Sequence, residues 1–344
     1  MTLRTALMGA AAAVAFAPAA FAERGSDGEV RIIYWQAPSI LNPFLSGGTK
    51  DVESASMIIE PLARYNELGE LVPWLVDEVP TVDNGGVSAD LTSITWKISE
   101  GILWSDGTPF TSADVAFTYE YCTDPEGGCA QVTKFEGVES VETPDDLTVV
   151  VNFAGATPNP YGPFVGGESP ILQAAQFADC VGAQASTCTE ENFNPIGTGP
   201  FTVTEFKPND VITMDAIENY RDPAKPAFAT VTFKGGGDAT AAGRAVMETG
   251  EFDYAWNLQL APDVIAQMEA GGMGTPVAGF GPLVERIMLN NANPDPALGE
   301  MRSVKSDPNG PSEHPFLGDP AVYKAMSMAI DRPLLVEVGY GQAG

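Results

Sequence analysis

The chain has 344 residues, of which 44% are apolar and 18% are charged, so it can bury a sizeable core and is long enough for two domains. Its 17 Lys and Arg residues against 46 Asp and Glu residues give a formal net charge of −29. This excess of acid excludes nucleic acid and anionic membrane surfaces as expected partners, because both are bound through clustered Lys and Arg side chains.

The first 22 residues have the pattern of a secretory signal peptide. Arg4 precedes an alanine-rich apolar run, and Ala20 to Ala22 form an A-x-A cleavage pattern before Glu23. The apolar run is much shorter than the roughly 20 residues that a bilayer span requires. Because position 23 is not a cysteine, no lipid anchor is expected. The sequence therefore predicts a soluble protein exported to the periplasm.

Local patterns predict alternating strands and helices in the mature chain. Strands are predicted at Glu29–Trp35, Thr92–Ile98, Leu147–Phe153, Phe201–Phe206, Thr230–Lys234, Phe252–Trp256 and Arg286–Asn290. Helices are predicted at Lys50–Leu62, after Thr111, at 239–247, from Pro262 to the Gly271-Gly272 pair, at Val322–Ile330 and after Asp331. From Ala229 onward the strand–helix–strand order is typical of an α/β sheet.

Three of these helices begin with recognisable capping residues. Thr111 followed by Asp114 resembles a capping box, in which each residue bonds a backbone N–H of the other. Asp319 before Pro320 is a typical pair for the N-cap and the first helical position, and Asp331 is a second N-cap. These positions fix where the helices begin.

The four cysteines form two close pairs, Cys122 with Cys129 and Cys180 with Cys188. Four cysteines allow three connectivities, and the sequence alone does not select one. Pairing within each short loop is favoured because the enclosed residues are small or turn-forming, and export favours oxidation. A zinc site is the alternative, but neither pair has C-x₂-C spacing and His314 is the one histidine of the chain.

No motif in the chain indicates catalysis or a bound cofactor. Lys234-Gly235-Gly236-Gly237 follows a strand, yet Thr240 stands where a dinucleotide-binding loop would need glycine. His314 lies in a loop rich in Pro, Gly and Ser, without a nucleophile motif to accompany it. We therefore expect no enzyme activity, no metal and no cofactor.

Two tryptophans mark a candidate binding edge. Trp35 and Trp256 each end a predicted strand and are followed by polar, turn-forming residues. A buried tryptophan is the commoner case for either one alone. In open α/β sheets, however, ligands lie beyond the carboxyl ends of the strands. These two strand ends are therefore the predicted lining of a cleft.

Several segments resemble family 5 extracellular solute-binding proteins, the dipeptide- and oligopeptide-binding receptors of ABC importers. The most specific is Gly101–Phe117, which is similar to the family signature W-x-D-G-x-P-(F/L)-T-A-x-D-V. The other segments are Leu41–Pro43, Glu60–Leu62, Gly197–Phe201, Gly250–Asp253 and Ala325–Arg332. All six occur in the family order, so the resemblance covers the whole mature chain.

The resemblance implies an α/β periplasmic-binding-protein type II fold, with two lobes joined by a hinge near Ala278 to Leu289. The implied division is a signal peptide at 1–22, lobe I at 23–282 with a turn-rich subdomain at roughly 68–195, and the crossing and start of lobe II at 283–344. Family members build most of lobe II after the helix that carries A-I-D-R, so lobe II is expected to be incomplete in this chain.

The expected function is that of a monomeric, non-catalytic receptor that delivers a peptide or similar small solute to inner-membrane permease subunits. Other solutes remain open: a nickel chelate, an oligosaccharide, an opine or haem. An exported peptidase is the rival class. The expected ligand contacts are Trp35, Gln36, Ser39, Asn42, Trp256, Asn257 and Gln259, with Asn290 beyond the hinge.

Overall fold

A computed structural model of the chain describes residues 23–279, 286–303 and 312–341. The predicted signal peptide lies outside these residues, as does the middle of the predicted hinge. No helix within the described ranges is both long enough and apolar enough to cross a membrane.

The described residues form two compact units. The first contains the chain up to Asp238 together with Phe252–Trp256, and the second contains Ala239–Glu251 and the chain from Asn257 onward. The predicted lobe boundary after residue 282 therefore falls inside the second unit. That boundary stays a prediction, because residues 280–285 are outside the described part.

Ten strands, eight α-helices and four 3₁₀ segments make up the described chain. The strands are β1 Glu29–Tyr34, β2 Ala63–Tyr65, β3 Leu71–Pro73, β4 Ser93–Lys97, β5 Val138–Asp145, β6 Thr148–Phe153, β7 Phe201–Lys207, β8 Val211–Ala216, β9 Thr230–Gly235 and β10 Tyr254–Trp256. The α-helices are α1 Thr49–Ala55, α2 Ser112–Thr123, α3 Ala174–Phe177, α4 Thr189–Phe193, α5 Ala239–Met247, α6 Pro262–Glu269, α7 Pro320–Ala329 and α8 Arg332–Gly339. The 3₁₀ segments are Pro43–Leu45, Val132–Phe135, Gly182–Thr187 and Pro296–Ser303.

The first unit is built on a five-stranded sheet with the order β10-β1-β9-β8-β7. The β10, β1 and β9 strands run parallel, and β8 and β7 complete the sheet in antiparallel pairs. Ile33 and Tyr34 point to opposite faces of β1, and each is only 4% exposed. The sheet is therefore covered on both faces at β1, as parallel strands require.

A second sheet, with the order β4-β6-β5, and the β2–β3 hairpin belong to the same unit. Trp96 and Trp104 are almost completely buried in its core. The predicted capping box starts α2, since the Thr111 N–H donates to Asp114 Oδ2 at 2.9 Å. Asp114 Oδ1 also accepts a bond from the Ala174 N–H at 3.0 Å. The family-like segment thus ties the start of a helix to a distant part of the chain.

Both predicted disulfides are confirmed by the structure. Cys122 is bonded to Cys129, with 5.1 Å between their Cα atoms. Cys180 is bonded to Cys188, with 5.8 Å between their Cα atoms. Each bond closes a short loop of the first unit, so it restricts the unfolded chain locally.

Two predicted elements are wrong in extent or in kind. The helix predicted at Lys50–Leu62 ends at Ala55, because the Ile58 carbonyl accepts a bond from the Gly199 N–H at 2.8 Å instead of continuing the helix. The strand predicted at Arg286–Asn290 has irregular structure. Ile287 is 64% exposed there, so no neighbouring strand covers its side chain.

The second unit contains four of the α-helices. Gly243 in α5 lies against α6, where a Cβ atom at this position would be 3.1 Å from the Met268 sulfur. The predicted caps of the last two helices are confirmed: Asp319 Oδ1 accepts from the Ala321 N–H at 2.8 Å, and Asp331 Oδ1 accepts from the Leu334 N–H at 3.1 Å.

Candidate functional site

The carboxyl ends of β10, β1 and β9 meet at one edge of the five-stranded sheet, as the sequence predicts for a binding edge. Tyr34 is the register partner of both Trp256 and Gly235. The Tyr34 and Trp256 rings stack with centroids 5.0 Å apart and planes 29° apart. Phe233 contacts the other side of Tyr34, with centroids 4.5 Å apart. The ends of β1 and β10 therefore carry aromatic rings that pack on each other.

The loop that follows β1 is held in place from three directions. Gly235 packs so closely against it that a Cβ atom would be 2.5 Å from the Ala37 Cβ. The Pro38 carbonyl accepts a bond from the Asn209 N–H at 2.8 Å. The Ser39 N–H donates to Asp51 Oδ1 at 2.6 Å. The loop that carries the candidate residues is thus a fixed surface before any ligand arrives.

Asp51, at the start of α1, accepts the hydrogen bond that holds this loop. Its side chain is buried and also accepts bonds from the Ser46 hydroxyl at 2.7 Å and the Lys50 ammonium at 2.9 Å. Burial by itself raises the pKa of the Asp51 carboxyl, but the bonds from Ser39 and Ser46 and the Lys50 charge outweigh it and hold the pKa below its usual value. Asp51 therefore stays ionised and keeps the loop attached to α1.

The structure brings four predicted ligand residues to this edge. Trp35 and Trp256 are half-buried, and Gln36 is exposed. Ser39 is half-buried, and its hydroxyl is bonded to Asp51 and accepts from the Lys50 ammonium at 2.8 Å. Ser39 therefore positions the loop, whereas the two tryptophans and Gln36 have surface available for a solute.

Asn42 does not fit its predicted role as a ligand contact. Its side chain is 0% exposed. Its Nδ2 donates to the Tyr121 hydroxyl at 2.9 Å and to Asn192 Oδ1 at 2.8 Å, and its Oδ1 accepts from the Phe44 N–H at 3.1 Å. Every polar atom of this amide is bonded inside the core. Asn42 caps a 3₁₀ turn, and we remove it from the candidate site.

The second unit carries the other predicted contacts. Asn257 has a φ of 55°, a left-handed conformation that asparagine tolerates better than most residues. Gln259 is exposed, and its N–H donates to the Asn257 carbonyl at 2.9 Å. Asn290 is also exposed, and its Oδ1 accepts from the Ala292 N–H at 3.0 Å. Their contact with a ligand stays a prediction.

Three residues near this edge escaped the sequence interpretation: Tyr34, Glu53 and Tyr254. The Tyr34 hydroxyl donates to a carboxylate oxygen of Glu53, which reaches it from α1. Burial raises the pKa of Glu53, and the bond from Tyr34 only partly offsets this. Tyr254 lies two residues before Trp256 on β10, so both side chains share one face of the sheet. The alternation in β10 could have identified Tyr254, whereas no local pattern identifies Glu53.

The described residues include no possible metal-ligand group that contains a residue of this edge. One group, Cys180, Cys188 and Glu191, has the spacing for a metal, but its two sulfurs form a disulfide and do not ligate. His314 Nδ1 accepts a bond from the Leu317 N–H at 3.1 Å, so this nitrogen stabilises a turn.

Replacing Gly235 by alanine is expected to lower the free energy of unfolding by about 1–2 kcal/mol, because the new methyl group would collide with Ala37. Urea unfolding of the purified protein measures the change. Gly155→Ala is the matched control, since no atom lies within 4 Å of the Cβ position there. Equal stability of the two variants would contradict the close packing of the loop.

Known proteins share this fold over part of their length. Haemophilus influenzae OppA, solved in complex with RPPGFSPFR, superposes with a TM-score of 0.61 and 18% identity over 72% of this chain and 49% of that chain. Campylobacter jejuni NikZ, solved in complex with Ni(L-His), superposes with a TM-score of 0.56 and 22% identity over 66% of this chain and 43% of that chain. The chain therefore has the type II periplasmic-binding-protein fold.

The sequence comparisons agree with the fold. Glutathione-binding protein GsiB of Shigella boydii is 23% identical over 254 residues, which make up 74% of this chain and 44% of that protein. The chain thus spans less than half the length of this relative. The model of bacterial extracellular solute-binding proteins, family 5 Middle, matches residues 70–344. The ordered motifs and this match lead to one conclusion: the chain belongs to the family 5 extracellular solute-binding proteins.

Proposed function

We propose that the protein is a periplasmic receptor that captures a peptide or a similar small organic solute and delivers it to the permease subunits of an ABC importer. The observation that carries this proposal is the pre-formed edge of the parallel strands in a member of a solute-binding family. There, Trp35 begins a loop that is already fixed by Asp51 and Gly235, and Trp256 ends the neighbouring strand β10. A rigid surface of this kind loses little conformational entropy on binding.

The chemistry of the edge suits solute binding without reaction. Aromatic faces provide contact area for varied solutes, and the Gln36 amide can both donate and accept hydrogen bonds. We expect capture to shift the protein toward the conformer that encloses the solute, because that conformer makes the most contacts with it. The protein then acts as a monomeric carrier with no bond made or broken.

Peptide is the first choice of solute class. GsiB is named for glutathione, which is a peptide, and OppA was solved with a peptide. The Ni(L-His) complex of NikZ keeps a nickel chelate among the alternatives. An opine, an oligosaccharide and haem complete the set of solutes to test.

The test is thermal unfolding of the purified protein with a panel of these solutes. A solute present at 100 times its Kd stabilises the folded protein by about 2.7 kcal/mol, so the Tm of the protein should rise by several degrees. Mass spectrometry of the solute after incubation should recover it unchanged, which separates a receptor from a peptidase. An unchanged Tm across the whole panel would contradict the proposed function.

A further inference from the structure

Three aromatic rings and one carboxylate lie together on one face of the five-stranded sheet. Tyr34 and Trp256 are direct register partners on neighbouring parallel strands, and Tyr254 is on the same face one pleat earlier. Glu53 reaches this face from α1 and accepts the Tyr34 hydroxyl proton in a hydrogen bond. We call these four residues the edge cluster, because β10 is the edge strand of the sheet.

The carboxylate of the edge cluster lacks a counter-charge in the part of the chain that the structure describes. Buried Asp51 is paired with Lys50 at 2.9 Å, and buried Glu60 is paired with Arg221 at 2.6 Å. Half-buried Glu53 has the neutral Tyr34 hydroxyl as its hydrogen-bond partner, and none of the described residues places a cation within the range of an ion pair. A partly desolvated carboxylate without a cation is unfavourable, so a positive charge placed beside it would be stabilised.

Two of the three rings of the edge cluster are accessible to a ligand. Tyr254 is 50% exposed, and Trp256 is half-buried. Burial and then the charge on Glu53 raise the pKa of the Tyr254 phenol, which places that ring within the field of the carboxylate. The faces of Trp and Tyr rings carry partial negative charge and attract cations, most strongly where water is partly excluded.

We propose that the edge cluster binds a cationic nitrogen group of the imported solute, an alkylammonium or a guanidinium. The inference rests on the proposed function and adds the chemical class of the solute to it. Glu53 supplies the full negative charge, and the Tyr254 and Trp256 faces supply the surrounding attraction. The net charge of −29 adds a field that raises the local concentration of cations.

The test compares solutes that differ in charge but hardly in shape. Choline and its neutral isostere 3,3-dimethylbutan-1-ol form one pair, and the guanidinium of arginine and the urea group of citrulline form the other. Affinities are measured by isothermal titration calorimetry on the wild-type protein. We expect the charged member of at least one pair to bind at least about tenfold more tightly, and the pair that discriminates identifies the cation.

Glu53→Gln should abolish this preference while leaving a folded protein, which its thermal unfolding curve without ligand checks. Glu139→Gln removes the same charge from an exposed position on β5, in the other sheet, and should keep the preference. Equal affinities within both pairs, absence of saturable binding by either cation, or a preference that survives Glu53→Gln would each overturn the inference. If solutes of the panel raise the Tm of the protein although the charged and neutral members of each pair bind equally, the proposed import function stands and the cation site is wrong.

Discussion

Replacing Glu60 by glutamine is expected to lower the free energy of unfolding by about 3–5 kcal/mol. The side chain is 2% exposed and accepts bonds from the Arg221 guanidinium at 2.6 and 3.1 Å. It also accepts from the Trp74 Nε1–H at 2.6 Å and the Thr198 hydroxyl at 2.9 Å. A neutral amide cannot balance the positive charge of the Arg221 guanidinium. Its NH₂ group is also a donor, and it would face the hydrogen-bond donors that the carboxylate oxygens of Glu60 accept.

Urea unfolding of Glu60→Gln measures this loss. Glu78→Gln is the control, because Glu78 is exposed, and it should change the stability by less than about 0.5 kcal/mol. The double variant Glu60→Gln/Arg221→Gln should recover part of the loss, since the charge left unpaired is then removed as well. A loss below about 1 kcal/mol in the single variant would show that solvent around the partly exposed Arg221 screens the pair.

The Glu60 network joins two of the family-like motifs. Glu60 begins one of them and Thr198 lies in another, and the two side chains meet although 138 positions separate them. In the second motif, a Cβ atom on Gly197 would be 1.8 Å from the Ile58 carbonyl oxygen, so only glycine fits. The residues of these two motifs therefore make contacts within the core, so the motifs identify the fold rather than the solute.

The sequence was sufficient wherever the interaction is local. The caps at Thr111, Asp319 and Asp331 act within one turn of their helices, and both disulfides close loops of a few residues. The strand ends at Trp35 and Trp256 could be placed because β-strand composition and turn residues are also local signals. That a solute binds at this edge stays a prediction, which rests on the general position of ligands in α/β sheets.

The sequence was insufficient where distant segments decide the outcome. In the sequence, Asn42 resembles an exposed polar loop residue, yet its side-chain amide donates hydrogen bonds to Tyr121 and Asn192 in the core. The Lys50–Leu62 helix stops early because Gly199 competes for the Ile58 carbonyl. Glu53 was missed for the same reason, since no local pattern shows that its carboxylate accepts a hydrogen bond from Tyr34 on β1.

Replacing Trp256 by alanine is expected to weaken solute binding by about 2 kcal/mol, roughly 30-fold in Kd. Trp256 ends the edge strand, stacks on Tyr34 and keeps part of its ring accessible, so it offers apolar surface that a solute can cover at this edge. The measurement is calorimetric titration with the panel solute that gives the largest rise in Tm.

Two further variants separate contact with the solute from loss of packing. Trp256→Phe keeps a ring on Tyr34 and should bind within a few-fold of wild type, because most of the stacking area remains. Tyr65→Ala removes an aromatic ring that is 53% exposed from the β2–β3 hairpin and should leave the affinity unchanged. If Trp256→Ala binds as tightly as the wild type while remaining folded, the solute does not rest on the carboxyl ends of β1 and β10, and the polar residues of the second unit become the site to test.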